Sequence, residues 1–171
     1  GGIAAIPQPK AVDPPMPEQK ATRAEVFHDE LARTPAVLVG IAGPRWRDPD
    51  HHALQLASIA LGGGESSRLH RRLVKEKAVA QDASADWDVI GSGPHGLTVS
   101  AKLVAGAATG EARRIIEEEL DRLGKEPLSA AELTRARRRA QLDFVAWVEG
   151  TMGAATFLGV FELYHGDARL L

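Results

Sequence analysis

Cysteine is absent from the 171 residues. That excludes thiol nucleophiles, disulfides and thiolate metal sites, and it suits a reducing compartment or the periplasm equally. Long apolar runs are absent too: Gly, Ser or a charge interrupts every aliphatic stretch well short of the ~20 residues a membrane helix needs, so no membrane span is predicted. Net charge is only −2, with both signs interspersed, so no overall field draws in DNA, RNA or an anionic surface. The chain is 44% hydrophobic and 26% charged, an ordinary globular composition. A chain of this length buries roughly 68–70% of its unfolded surface, enough to fold without metal or disulfide.

Catalytic groupings are missing as well. Zinc held by a helix needs two imidazoles one turn apart, and His28, His51, His52, His70, His95 and His165 offer no such pair. His51 and His52 are adjacent, point about 100° apart on a helix, and read as exposed first-turn residues. The Gly62-Gly63-Gly64-Glu65-Ser66-Ser67 loop is Gly-rich and leads into a helix, but it follows a helix and carries Glu65 in place of Lys, which excludes a phosphate loop. There is no Gly-x-Ser-x-Gly elbow, and Ser66 and Ser67 read as helix caps. The basic run Arg135, Arg137, Arg138 and Arg139 alternates with Ala136 and Ala140 and lacks interleaved aromatics. It reads as a solvated helix face with Glu117-Glu118-Glu119 as electrostatic partner, not as a nucleic-acid surface.

What is present has clear periodicity. Prolines 7, 9, 14, 15 and 17 make residues 1–21 a stiff interdomain linker. Residues 22–29 are expected to be extended, and the apolar run Ala36 to Ala42 a buried central strand closed by Gly43-Pro44. Asp48-Pro49-Asp50 predicts a helix start capped by Asp48, with Leu54, Ala57 and Leu61 on one face and Gly62-Gly63-Gly64 ending it. A short helix to about Lys77 places Leu69 and Leu73 inward and Arg68, Arg71, Arg72 and Lys75 outward. Residues 80–89 are expected to be extended. After Gly91-Ser92-Gly93-Pro94, Leu97, Val99, Ala101 and Leu103 alternate with polar residues, predicting a strand with one buried face.

The remainder is expected to be helical. Ile115, Ile116, Leu120 and Leu123 form a stripe, and Gly124 and Pro127 end that helix. Ser129 and Glu132 form a capping box that opens a helix to about Glu149, and Met152 to Tyr164 follows with Phe157, Phe161 and Tyr164 or Val160 on one side. Paired strands followed by helices predict an α+β fold, a mainly antiparallel sheet with helices packed on one face.

Taken together, Leu61-Gly62-Gly63-Gly64-Glu65-Ser66-Ser67-Arg68-Leu69, then Leu73-Val74-Lys75-Glu76-Lys77-Ala78-Val79-Ala80, and Ser84-Ala85 resemble the pitrilysin, insulysin and mitochondrial processing peptidase family. Arg47-Asp48-Pro49-Asp50, Gly96-Leu97, Leu128 to Leu133, and Leu158-Gly159 through Gly166-Asp167 extend the resemblance over nearly the whole chain, and Gly1-Gly2-Ile3-Ala4 is similar to the joint between halves in bacterial members.

The resemblance implies two tandem halves of like fold, with zinc held in one of them by an inverted H-x-x-E-H helix that this sequence lacks. Residues 22–171 would be the second, non-zinc half, a processing-peptidase-like half domain and an excised piece whose last helix or two lie beyond Leu171. Zinc would belong to the full-length protein's first half, acidifying a bound water and polarising the scissile carbonyl, with none in this fragment. The implied partners are that preceding zinc-bearing half, a second peptidase-family chain and a peptide substrate gripped partly by strand addition. Candidate substrate-chamber contacts are Gly62, Gly63, Gly64, Ser66, Arg68 and His95; no catalytic or metal residue is assigned. An Arg and a Tyr that many members place near the last strand correspond here to Gly93 and Ala101. The function implied is the non-catalytic half of a zinc metalloendopeptidase, inactive alone, with an inactive scaffold or assembly subunit of the same fold as the alternative. Bacterial relatives imply the periplasm over the cytoplasm.

Overall fold

Strict alternation makes β3 the organising strand. The computed structural model describes residues 19–87 and 94–171; most of the proline-rich stretch assigned as linker, and Gly91 to Gly93, lie outside them. β3 (Pro94–Leu103) pairs antiparallel with β1 (Ala36–Arg45) on one side and β2 (Ala80–Trp87) on the other, giving the order β1-β3-β2. Leu97, Val99, Ala101 and Leu103 are buried, and Val99 faces Val39 and Ala85 across the ladders. Side chains directly opposite on neighbouring strands share a face. One face therefore carries Val37, Val39, Ala83, Ala85 and Trp87, while Leu38, Ser100 and Ser84 share the other.

Two strand expectations are corrected. The apolar run from Ala36 is an edge strand, not a central one, and Leu38 is 72% exposed. A run apolar on both sides signals cover on both faces, and among the described residues only the face bearing Val37 and Val39 receives any. Residues 22–29 form no strand and join no ladder among the described residues, and Val26 and Phe27 are solvent-exposed.

The helices occupy one face of the sheet. α1 (His51–Gly62) packs on β2 and on the later helix Ala130–Val148. Asp48 does not cap it: its Oδ2 accepts from the Arg45 amide at 2.7 Å and closes the preceding turn instead. Gly62 ends α1 where the helix backbone meets β2, and a Cβ there would lie 2.0 Å from the Ala85 nitrogen. Only glycine permits that approach. α2 (His70–Glu76) is wound as a π-helix, and the Lys77 amide donates to the Arg72 carbonyl at 3.0 Å. It leaves through Ala78, a non-glycine residue at φ 51°.

α3 (Thr109–Lys125) buries Ile115 and Ile116 and half-buries Leu120 and Leu123. With Leu61, Leu69, Leu73, Val99 and Leu103 they fill the space between helices and sheet. Each such fully buried side chain contributes about 1.5–3 kcal/mol of hydrophobic transfer. α4 (Ala130–Val148) opens with the expected capping box: Ser129 Oγ accepts from the Glu132 amide at 3.3 Å, and the Ser129 amide donates to Glu132 Oε2 at 2.9 Å. α5 (Thr151–Val160) continues as a π-wound turn, Phe161–His165, and stops at Gly166, whose φ of 77° is the left-handed cap glycine favours. The wider winding buries His165 beside Phe161 and leaves Tyr164 exposed; of the two residues expected to share the face of Phe157 and Phe161, Val160 is the half-buried one. Among the described residues no single helix is long and apolar enough to cross a membrane; α4 and the stretch Thr151–His165 combine the length and apolarity only jointly, and are bent by 105°.

Candidate functional site

The glycine-rich turn after α1 leads into the most constrained charges of the fold. Arg68, expected outward, is 4% exposed, and its Nε and Nη2 donate to Glu132 Oε1 and Oε2 at 2.7 and 3.1 Å. The hydrogen bond from Arg68, with further donors from Ser129, holds the Glu132 carboxyl down to about 2 although burial opposes the charge. Arg68 is correspondingly raised, chiefly by its hydrogen bond to Glu132. Its Nη1 is buried without a partner. Next on the same segment, Arg72 reaches Glu118 at 2.9 Å and the buried Glu119 at 3.1 Å. The acidic cluster of α3 thus pairs with Arg72 and with Arg113 and Arg114 of its own helix, not with the arginines of α4 as its sequence suggested. Charge inside a helix layer is tolerable only when paired in this way.

The turn itself bounds a groove of about 380 Å³ between α1 and α4, lined by Ile59, Gly63, Gly64, Ser66, Arg135 and Leu142 among others. Of the six candidate contacts, the structure gathers Gly63, Gly64 and Ser66 on this groove. Gly62 is committed to β2 and Arg68 to Glu132. His95 lies in β3 by its backbone, and its side chain is outside the described set. Of the two positions compared with a family Arg and Tyr, Gly93 is outside the described residues and Ala101 is buried in the sheet.

A second cluster escaped the sequence reading. His51, expected to be exposed, is fully buried; it takes a 3.4 Å hydrogen bond from Trp87 Nε1 and packs 4.8 Å from Trp46. Trp46 also stacks on His165 at 4.3 Å and meets His52 edge-on at 5.4 Å. The three imidazoles surround an indole that occupies the space between them, and among the described residues no group of three or more His, Cys, Asp or Glu could hold a metal ion. The donor set of the described residues therefore does not fit zinc.

The side of the sheet away from the helices is the third feature. Leu38, Ser100 and Ser84 lie in one row across it, with Gly40, Thr98 and Asp86 in the next. Ser84 and Ser100 hydroxyls are 3.0 Å apart, and Ser84 also donates to Asp86. Among the described residues β1 pairs only through the edge facing β3.

Comparison with known proteins follows the same lines. The family described as peptidase M16 inactive domain matches residues 1–140. A zinc protease of Helicobacter pylori, PqqE, is 26% identical over 168 residues, which are 94% of this chain and 34% of the relative. The chain thus spans about a third of the length of that curated relative. Among solved structures, the inactive peptidase domain from Bordetella parapertussis superimposes with a TM-score of 0.71 at 25% identity, over 85% of this chain and 76% of that one. A protease from Helicobacter pylori gives 0.72 at 24% identity, over 84% of this chain and 34% of its own, which shows the shared fold.

Proposed function

This chain belongs to the family of peptidase M16 inactive domains, and on that premise we propose that it is the half of a zinc metalloendopeptidase that carries no metal and helps enclose and hold a peptide substrate. The observation that carries the reading is the match of residues 1–140 to an inactive peptidase domain, supported by a fold held in common with a solved inactive domain. In this reading the metal, its water and the carboxylate that moves the proton belong to a zinc-bearing partner half.

Two surfaces suit the task. The outer edge of β1 offers backbone donors and acceptors to an extended peptide, a recognition mode that takes affinity from the main chain and tolerates varied side chains. The helix-free face of the sheet offers small and polar groups, Gly40, Thr98, Ser100 and Ser84, over which a chain can lie. Gly64 and Ser66 remain accessible for contact, while Gly62 and Arg68 serve the fold.

Cleavage of an internally quenched fluorescent peptide tests the proposal. This chain with added zinc should give no turnover, and joining it to the zinc-bearing half of its own protein should raise that half's activity at least tenfold, with loss on chelation. Metal-dependent cleavage by this chain alone would refute it, as would full activity of the zinc half without it.

A further inference from the structure

The groove between the glycine-rich turn and α4 lies in the helical layer, away from the helix-free sheet face, and the proposed function draws on its lining only through Gly64 and Ser66. Its charges do not cancel. Glu132 is neutralised by Arg68, Arg139 by Asp143 at 2.8 Å, and Glu65 lies 3.8 Å from Lys75 at the exposed mouth. Arg135 and Arg138 also line the groove, both exposed, and among the described residues neither has an acidic partner. Apolar surface accompanies them: Leu142, 67% exposed, and Ile59 line the same groove.

These features specify an occupant. Two free guanidiniums favour carboxylates, which they bind through paired N–H donors. The lining of α4 runs from Glu132 to Leu142, a rise of about 15 Å, which matches four to five residues of extended chain. No Phe, Tyr or Trp lines the groove, so bases would find no stacking surface. Glu65 disfavours a compact doubly charged anion at the mouth, whereas a peptide can space its carboxylates away from it. We propose that the groove between the Gly63–Ser67 turn and α4 binds a short acidic segment of a partner protein, with carboxylates on Arg135 and Arg138 and an apolar side chain between Ile59 and Leu142.

Fluorescence anisotropy with the fluorescein-labelled peptide acetyl-Glu-Asp-Leu-Glu-Asp-amide tests this on the chain as it stands. The acidic peptide should bind saturably and weaken with salt, and the all-lysine counterpart should not bind. The double variant Arg135→Gln/Arg138→Gln should lose at least about tenfold in affinity; both side chains are exposed and unpaired, so an unchanged Tm will accompany the loss. Leu142→Ser should weaken binding a few-fold. Equal binding of the lysine peptide, an unaffected double variant, displacement of the peptide by inorganic phosphate at equal concentration, or tighter binding of single-stranded RNA would each overturn the proposal. Peptidase activity does not enter the readout, so failure here leaves the proposed function untouched.

Discussion

Arg68 and Glu132 meet across 64 residues of sequence in a forked ion pair, both side chains largely withdrawn from water. The same carboxylate also completes the capping box of α4. One acidic group thus fixes where the glycine-rich turn ends, where α4 begins and how the two meet.

Removing that carboxylate should be costly. Glu132→Gln leaves the Arg68 guanidinium buried without its counter-charge, and breaking a buried pair from one side costs about 3–5 kcal/mol. Urea denaturation followed by far-ultraviolet circular dichroism should register that loss. The paired replacement Arg68→Met with Glu132→Gln should recover part of it, because no unpaired cation remains.

Acid should unfold the chain through the same group. Glu132 titrates at about 2 in the fold, depressed first by the Arg68 hydrogen bond, against ~4.3 for an unperturbed glutamate. A depressed carboxyl stabilises the fold above its unfolded value, and the contribution is lost as pH falls through the window from ~4.3 to about 2. With 17% of its side-chain surface exposed, the group should account for roughly 3 kcal/mol. Urea midpoints measured in steps across that window should fall for the parent chain and fall less steeply for Glu132→Gln.

The two ends of the glycine-rich turn should respond differently to a methyl group. Gly62→Ala drives a Cβ into the β2 backbone, and overpacking of that kind costs about 3 kcal/mol or more. Gly64→Ala meets open space, and its cost of about 1–2 kcal/mol comes from the positive φ of 92° alone. Thermal melts of the two variants should rank accordingly.

Ala78 offers the opposite case. At φ 51° it holds a conformation that costs a non-glycine residue about 1–2 kcal/mol. Ala78→Gly relieves this but enlarges the freedom of the unfolded chain. A net gain of up to about 1 kcal/mol is expected, read as a higher Tm.

Sequence periodicity revealed the elements whose logic is local. The alternation of β3, the stripe of α3, the Ser129–Glu132 cap and the glycine stops each depend on residues within a turn or two of one another. Position within the sheet was not legible, because the apolar run of β1 states that its faces prefer cover and not which neighbours supply it. Arg68 was assigned to solvent because its partner is remote in the chain, and His51 because Trp46 and Trp87 reach it only after folding. The groove was half legible: the Gly63–Ser66 pattern marked one wall, while Arg135 and Arg138 read as an ordinary wetted helix face.

The unmatched side of β1 carries a liability in manufacture. Leu38 and Ile41 lie on a strand whose outer edge no described strand pairs, and such a margin is a template for self-recruitment. Produced by itself at high concentration, the chain should assemble into growing aggregates, detectable by light scattering, and a lysine gatekeeper, Leu38→Lys, should keep it dispersed.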